Sequence, residues 1–174
     1  EEKIQFRQRI YKGWENNFVC GMVAANKGYP CRKSFPEVME GFAKFAVERP
    51  DARLYLHSIP TAEHTGPDLQ QMAKHFGIID KVKYVHPTRL MAGSYTEEDM
   101  RQIYCSFDVL LAPSQGEGFG VPILEAQACG VPVIVNDHSA MTELVGDGWR
   151  LKPLRLFPSL HWGKWAETDP EAVY

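Results

Sequence analysis

The feature that most constrains the fold is a repeated alternation between short apolar runs and segments with helical periodicity. Several runs are apolar at consecutive positions, as Val109, Leu110 and Leu111 show. Strands that are covered on both faces have this pattern, so it predicts a parallel sheet rather than a half-exposed antiparallel one. The predicted strands are Phe18–Ala25, Ala52–His57, Val82–His86, Asp108–Ala112, Val131–Asn136 and, with the weakest pattern, Trp149–Lys152.

The segments between these strands are amphipathic. Apolar residues between 38 and 46 recur at i, i+4, i+7 and i+8, which is the spacing of one helix face. A second stripe begins at Leu69 behind Pro67, a residue suited to a first helical turn, and a third lies behind Thr96, an N-cap candidate. Residues Pro122–Cys129 are predicted to form the next helix.

Strands that alternate with helices at this spacing predict right-handed βαβ units. The expected fold class is therefore α/β, with a doubly wound, Rossmann-like parallel sheet of about six strands. Ligands of such sheets bind outside the carboxyl ends of the strands. We expect binding residues in the loops that follow the strands, which are 26–35, 58–66, 87–95, 113–120 and 136–140.

Composition argues against several classes of protein. A net charge of −3 over 174 residues gives no electrostatic reason to expect nucleic acid or an anionic membrane surface as a partner. No apolar run is long enough to span a bilayer, and the polar N-terminal residues do not resemble a signal peptide. The four cysteines lack a Cys-x-x-Cys pair, and the six histidines lack ligand spacing. We therefore expect a reduced, cytoplasmic protein without a structural metal site.

Three glycines at alternate positions, Gly116, Gly118 and Gly120, follow a predicted buried strand and precede a predicted helix. A loop without Cβ atoms lets the backbone approach a ligand closely. The amino end of the following helix favours a phosphate or another anion. Glu125 is predicted to be a buried carboxylate on this helix, and sugar or ribose hydroxyl groups would supply its hydrogen-bond donors.

Structural interpretations compete with ligand binding here. Glycine-rich turns are common between strand and helix, and Glu125 could cap a neighbouring element. The dinucleotide-binding fingerprint Gly-x-Gly-x-x-Gly fails because Val121 stands where the third glycine is required. Asp108, at the entrance of the fourth strand, is interpreted as a capping group. Taken without any resemblance, the residues slightly favour anion binding.

Residues 113–134 read Pro-Ser-Gln-Gly-Glu-Gly-Phe-Gly-Val-Pro-Ile-Leu-Glu-Ala-Gln-Ala-Cys-Gly-Val-Pro-Val-Ile. This segment, with its Glu-x7-Glu spacing, resembles the signature of a large retaining glycosyltransferase family that includes sucrose synthase-like enzymes and mannosyltransferases of the two-domain GT-B fold. The resemblance implies that residues 18–174 form the nucleotide-sugar-binding domain, the C-terminal half of that fold. Residues 1–17 are then the interdomain connection, and we expect the domain to be truncated at both ends.

The resemblance also implies roles for individual residues. In the family, the first glutamate faces the donor sugar, the second binds the ribose hydroxyls, and the loop amides hold sugar and phosphate. The segment Ala25–Lys33 resembles the family's Gly-Arg…(Arg)-Lys loop, which binds the diphosphate, although Asn26 and Lys27 stand where the family has glycine and arginine. The implied donor-binding residues are Lys27, Arg32, Lys33, Ser114, Gly118, Phe119, Gly120, Val121 and Glu125, and the implied catalytic residues are Glu117 and Lys33.

Other positions carry weaker indications. Arg89 and Leu90 follow the third strand, in the region where the family accommodates the nucleotide base, although a surface loop is an equal interpretation. Trp149, Trp162 and Trp165 could form an aromatic platform for a sugar. Packing at a domain edge is the preferred interpretation of these tryptophans.

The reaction that the resemblance implies is transfer of a hexosyl group from a nucleotide diphosphate sugar to an acceptor hydroxyl, with retention and without a metal ion or other cofactor. The acceptor domain would lie upstream, so we expect the isolated chain to bind donor weakly and to have little transferase activity. Any peripheral membrane contact would come through that domain. The competing interpretations are a non-catalytic nucleotide-sugar-binding module or remnant domain, an epimerase or phosphorylase-like enzyme of similar fold, and a receiver-like signalling domain.

Overall fold

The computed structural model describes residues 1–61, 66–159 and 163–174. The strands are β1 (Phe18–Val23), β2 (Ala52–His57), β3 (Val82–Tyr84), β4 (Val109–Leu111), β5 (Val133–Asn136), β6 (Gly148–Leu151), β7 (Leu156–Pro158) and β8 (Lys164–Ala166). The helices are α1 (Glu2–Tyr11), α2 (Phe35–Glu48), α3 (Leu69–His75), α4 (Pro87–Met91), α5 (Glu97–Cys105), α6 (Val121–Ala128), α7 (Met141–Leu144) and α8 (Pro170–Val173), with a 3₁₀ turn at Ile79–Lys81.

Strands β1 to β6 form one parallel sheet in the order β3-β2-β1-β4-β5-β6. The predicted α/β fold with a doubly wound sheet of six strands is confirmed. The chain continues from β1 to β2 on one side of the sheet and from β4 to β5 on the other. The topological switch point therefore lies between the adjacent strands β1 and β4, which is where such sheets open a crevice for ligands.

Strands β2 and β5 end at the predicted residues, whereas β1, β3, β4 and β6 end one or two residues earlier than predicted. β1 ends at Val23 rather than Ala25, and β3 ends at Tyr84 rather than His86. The first difference arises because the backbone turns away from the sheet, with the Lys27 N–H donating to the Ala25 carbonyl at 3.1 Å. The loops at the carboxyl edge are therefore longer than the apolar runs indicate.

Helix starts were predicted with mixed success. Thr96 caps α5 as expected, because its hydroxyl accepts the Asp99 N–H while the Asp99 carboxylate accepts the Thr96 N–H. The expectation that Pro67 lies in the first turn of α3 is wrong. That helix begins at Leu69, and the Asp68 carboxylate caps it.

The two faces of the sheet carry separate cores. α2 and α3 cover one face, whereas α1, α5 and α6 cover the other. Burial on both sides explains why the central strands are apolar at consecutive positions. Gly21 in β1 allows one of these layers to approach closely, because a Cβ atom there would lie 2.3 Å from the Phe107 ring.

A second sheet, the antiparallel hairpin β7–β8, lies outside the main one and was not predicted. Its strands are short, and most of their side chains are exposed or half-buried. A segment with so little apolar alternation carries no clear strand signal.

The N-terminal helix α1 packs against α5 and places the Arg7 guanidinium at the amino edge of the sheet. Arg7 donates to the carbonyls of Ser106 (2.8 Å) and Asn17 (2.7 Å) and to the Asp108 carboxylate (2.5 Å). The same carboxylate accepts the backbone N–H of Val19 at 2.7 Å. Asp108 therefore has the capping role expected of it, and it also joins α1 to β1.

We expect Arg7→Ala to lower the free energy of unfolding by about 3 kcal/mol, because two carbonyls lose their guanidinium donor and the partly buried Asp108 carboxylate keeps only the Val19 N–H and the Lys3 ammonium as described donors. Urea unfolding followed by circular dichroism measures the change. Arg9→Ala is the matched control, since Arg9 is exposed on the same helix and donates to the half-buried Gln102 side chain at 3.1 Å. Equal stability losses in the two variants would contradict the assignment.

Candidate functional site

The candidate site is centred on Glu117, in the loop between β4 and α6. Its side chain is only 14% exposed. The carboxylate accepts a hydrogen bond from the Ser114 hydroxyl at 2.6 Å and another from the Lys33 ammonium. Arg32 completes the cluster, with its guanidinium nitrogen 3.2 Å from the second carboxylate oxygen.

Two loops that are distant in sequence supply this cluster. Arg32 and Lys33 lie between β1 and α2, whereas Ser114 and Glu117 follow β4. The loops meet because β1 and β4 are neighbours in the sheet, at the switch point. The Arg32 side chain joins them further by donating to the backbone carbonyl of Gly116.

The cations around Glu117 determine its charge. Burial alone would raise the pKa of the Glu117 carboxyl. Hydrogen bonds from Lys33 and Ser114, together with the charges of Lys33 and Arg32, outweigh that effect and hold the pKa below its ordinary value of 4.5. Glu117 is therefore ionised at neutral pH, and it partly neutralises the two cations beside it.

A cleft of about 560 Å³ opens beside this cluster. Lys27 lies at its edge, exposed to solvent, and Arg32 and Lys33 form part of its wall. The floor contains His57, a buried side chain whose pKa is lowered to about 4 by burial. Pro122, in the first turn of α6, lines the same cleft. Cationic side chains and a helix amino end therefore face one opening.

Arg89 and Leu90 line different cavities. Leu90 lines the cleft beside Lys33. The Arg89 guanidinium instead lies 4.3 Å from the centre of the Tyr95 ring and bonds the Asp99 carboxylate at 3.3 Å. It lines a separate cavity of about 330 Å³. Of the two residues predicted near the base, only Leu90 is in the cleft.

The glycine-rich loop leads into α6, which begins at Val121 rather than at the predicted Pro122. Gly120 has a φ of +96° and stands at the N-cap, where a side chain would be strained. No protein atom of the described chain lies within 4 Å of a Cβ built on Gly118, so its surroundings are open. Phe119 and Val121 are exposed. The amides of this loop are therefore accessible to a ligand.

The prediction that Glu125 is a buried carboxylate is wrong. α6 packs on the core only through Ile123 and Ala126, so Glu125 is exposed to solvent. The Tyr104 hydroxyl donates to its Oε2 atom at 2.6 Å. Glu125 lines a third cavity, of about 430 Å³, together with residues of α5 such as Arg101.

Ser139 is a site residue that the sequence did not indicate. Its hydroxyl accepts the backbone N–H of Glu117 at 2.9 Å, and its own φ is +55°, which is rare for serine. It lies in the loop 136–140, where we expected binding residues, but a lone serine gives no signal of its own. Its hydrogen bond orients the main chain at Glu117.

Trp149 and Trp165 have different surroundings. Trp149 is 59% exposed and lines an apolar groove with Phe18 and Tyr174. Trp165 lies against Gly116, with a ring atom 3.3 Å from the position of a Cβ there. Trp162, and residues 62–65 of the predicted loop 58–66, lie outside the described residues.

The part of the chain that the structure describes lacks membrane-spanning helices and clustered metal ligands. No helix there combines the length and the apolar character needed to cross a bilayer. Nor do three or more histidine, cysteine or acidic side chains come together there in a way that could hold a metal ion.

We expect the Glu117 carboxyl to titrate below pH 4.5 in the wild type and above it in Lys33→Met, because burial then dominates. Since the folded pKa is the lower one, the stability that ionised Glu117 contributes is present above pH 4.5 and is lost as the pH falls through the folded pKa. A carbon-13 NMR titration measures both values. Lys27→Met is the control with an exposed lysine, and identical curves for all three proteins would contradict the cluster.

Comparison with known protein sequences agrees with this geometry. A family model described as "Glycosyl transferases group 1" matches residues 19–167. Mannosylfructose-phosphate synthase of Agrobacterium fabrum is 31% identical over 149 residues, which are 82% of this chain and 30% of that enzyme. D-inositol 3-phosphate glycosyltransferase of Geodermatophilus obscurus is 31% identical over 117 residues, or 64% of this chain and 24% of that enzyme. The chain thus spans less than a third of the length of these relatives.

Solved structures show the same fold. Anabaena HepE, crystallised with UDP and glucose, superimposes with a TM-score of 0.71 at 20% identity, covering 99% of this chain and 40% of HepE. The C-terminal domain of a glycosyl transferase group 1 family protein (LpcC) from Francisella tularensis gives a TM-score of 0.63 at 21% identity, covering 85% of this chain and 75% of that domain. The family predicted from residues 113–134 is confirmed. The chain belongs to the glycosyl transferases group 1 family and has the fold of a GT-B C-terminal domain.

Proposed function

We propose that this chain is the donor-binding half of a retaining glycosyltransferase that moves a hexosyl group from a nucleotide diphosphate sugar to an acceptor hydroxyl. The observation that carries the proposal is the cluster of Glu117 with Lys33, Arg32 and Ser114 at the switch point, beside an open cationic cleft. The UDP and glucose in the HepE crystal support a donor of this chemical class.

The diphosphate is the ligand group that the cations fit. Lys33 and Arg32 line the cleft, and Lys27 stands at its edge. Without ligand, Lys33 and Arg32 are paired with the single charge of Glu117. A diphosphate carries more negative charge than one carboxylate and also meets the amino end of α6, so it competes successfully for both cations.

The donor sugar is assigned to Glu117 and the amides that follow it. When the diphosphate takes Lys33 and Arg32, the buried Glu117 carboxylate needs new donors, and sugar hydroxyls supply them. The open space around Gly118 leaves room for a ring beside the loop amides of Phe119 and Gly120. The exposed Phe119 and Val121 side chains leave this backbone accessible.

The ribose is assigned to Glu125. Pro122 lines the diphosphate cleft, and Glu125 lies about one helical turn further along α6. A nucleoside attached to the diphosphate can therefore run along this helix. Tyr104 donates to Oε2 of Glu125, and among the described residues none donates to Oε1, which supports its assignment to ribose hydroxyls.

We assign catalysis of the chemical step to electrostatic stabilisation of the leaving diphosphate. Negative charge grows on the departing diphosphate, and Lys33, Arg32 and the amides at the start of α6 stabilise it. The acceptor hydroxyl forms its bond to the anomeric carbon on the face from which the diphosphate departs, as the bond between that carbon and the diphosphate oxygen breaks. The hydroxyl proton passes to the departing phosphate, and the configuration is retained. In the donor complex the Glu117 carboxylate binds the sugar hydroxyls and the Ser114 hydroxyl, so we do not assign it the role of nucleophile in the alternative double displacement. Isolation of a covalent glycosyl–Glu117 adduct would overturn this mechanism.

The acceptor site and part of the catalytic apparatus are assigned to the remainder of the full-length protein. This fits the share of the curated relatives that the chain spans, 30% in the case of the Agrobacterium synthase. The chain alone is expected to bind donor weakly and to have little transferase activity. Transferase activity of the chain equal to that of a full-length form would contradict this division.

Calorimetric titration with UDP, GDP and ADP, and with their hexose conjugates, tests the donor assignment. We expect one nucleotide to bind, and Glu125→Ala to weaken it by about 1–3 kcal/mol because the ribose contacts are lost. Glu143→Ala is the control, an exposed glutamate on α7. Absence of binding by every nucleotide at millimolar concentration would refute the proposed function.

Glu117→Gln is expected to change the affinities for free nucleotide and for nucleotide sugar in opposite directions. Free nucleoside diphosphate binds several-fold more tightly, because Lys33 and Arg32 no longer pair with a carboxylate. The intact nucleotide sugar loses its advantage over free nucleotide, because the neutral amide accepts hydroxyl groups less strongly. The ratio of the two dissociation constants measures the effect, with Glu143→Gln as the control. Parallel changes for both ligands would contradict the role of Glu117.

A further inference from the structure

The hairpin strand β8 adjoins the loop that carries Glu117, although it lies outside the main sheet. The Ala166 N–H donates to the Gln115 carbonyl at 2.7 Å. The Gln115 N–H in turn donates to the Arg32 carbonyl at 2.8 Å. One residue of the glycine-rich loop is thus bonded through its backbone both to the cationic loop and to the hairpin.

Trp165 contacts the next residue of that loop. Its ring lies against Gly116, where a Cβ atom would come within 3.3 Å of the indole. Phe157 of β7 braces the indole from the side, with ring centres 6.1 Å apart in an edge-to-face arrangement. The Gly116 carbonyl accepts a hydrogen bond from the Arg32 guanidinium. The loop is therefore held by Arg32 through a hydrogen bond and by Trp165 through packing.

The hairpin also reaches the main chain of Glu117 by a second route. The Lys164 carbonyl lies 2.8 Å from the His138 Nε2 atom. Ser139, the next residue, accepts the Glu117 N–H through its hydroxyl. β8 is thus connected to the main chain at Glu117 by two routes, directly at residues 115–116 and through His138 and Ser139 at the Glu117 amide.

A buried polar cluster anchors the end of the hairpin. Thr168 donates to the Pro113 carbonyl at 2.7 Å and accepts a hydrogen bond from the Asn136 side chain at 2.8 Å. Its hydroxyl also lies 2.8 Å from that of Ser34, which follows Lys33 in the chain. Because Thr168, Asn136 and Ser34 are almost fully buried, the chain beyond β8 is held rigidly against the ends of β4 and β5 and the start of α2.

We propose that Trp165 is a positioning residue for the donor sugar, which fixes the loop around Gly116 and so sets where the Glu117 carboxylate meets the sugar. The inference rests on the proposed function and adds to it a residue outside the glycine-rich loop and outside the cationic loop. Removal of the indole leaves a void beside a glycine that has no side chain to fill it. The loop can then relax, and a displaced carboxylate loses sugar contacts while Lys27 and Glu125 keep theirs.

The test compares Trp165→Ala, Trp165→Phe and Trp149→Ala in calorimetric titrations with UDP and UDP-glucose, GDP and GDP-mannose, and ADP and ADP-glucose. For the pair that the wild type binds, we expect Trp165→Ala to weaken binding of the nucleotide sugar by about tenfold. The affinity for free nucleotide stays within about twofold of the wild-type value. Trp165→Phe keeps most of the wild-type preference for the nucleotide sugar over free nucleotide, because a ring still covers Gly116. Trp149→Ala removes an exposed indole of β6 and leaves both ligands unchanged.

Amide hydrogen exchange supplies a readout that needs no ligand. In Trp165→Ala we expect the Glu117 and Ala166 amides to exchange faster while those of β1 are unchanged, which shows that the fold is intact. If the wild type binds no nucleotide, the proposed function fails. If the wild type prefers the nucleotide sugar and Trp165→Ala keeps that preference and its slow exchange, only the inference about Trp165 fails.

Discussion

The ion pairs of the Glu117 carboxylate with Lys33 and Arg32 join two loops that leave adjacent strands, β1 and β4. Most of the carboxylate is shielded from water. Without its partners, the charge would have neither full hydration nor the ion pairs that compensate for the loss of hydration. The two loops must therefore stay in contact when the site is empty. The cleft beside them, the amino end of α6 and the packing of β8 on Gly116 all adjoin this contact.

Under the proposed function, the same interaction would distinguish the intact donor from free nucleotide. A diphosphate must separate Lys33 and Arg32 from Glu117 before it can use them, which costs part of its binding free energy. A sugar attached to that diphosphate offsets the cost, because its hydroxyls bind the carboxylate that has lost its cations. Free nucleotide has no such compensation. Under the proposed function, the arrangement would favour binding of the donor and release of the nucleotide product.

Much of the fold could be predicted because local patterns reflect burial. Consecutive apolar residues such as Val109 to Leu111 indicated central strands, and Thr96 indicated a helix start that the structure confirms. The exposure of Glu125 was not predictable from an apolar helix, because the face that packs is chosen by the neighbouring helices. Likewise, Arg89 and Leu90 are adjacent in sequence, yet they line different cavities. The Arg89 side chain stacks on Tyr95 and therefore lies in the second cavity.

Residue type and spacing along the chain are enough to specify the alternation of strands and helices, the family signature over residues 113–134, and the acidic and basic groups of the candidate site. The contacts between these groups depend on the folded chain: Lys33 bonds Glu117, Ser139 accepts the Glu117 amide, and Trp165 covers Gly116. Those contacts join segments distant in sequence. They form because the order of strands in the sheet brings the ends of β1, β4 and β5 together, and periodicity along one strand cannot specify which strands become neighbours.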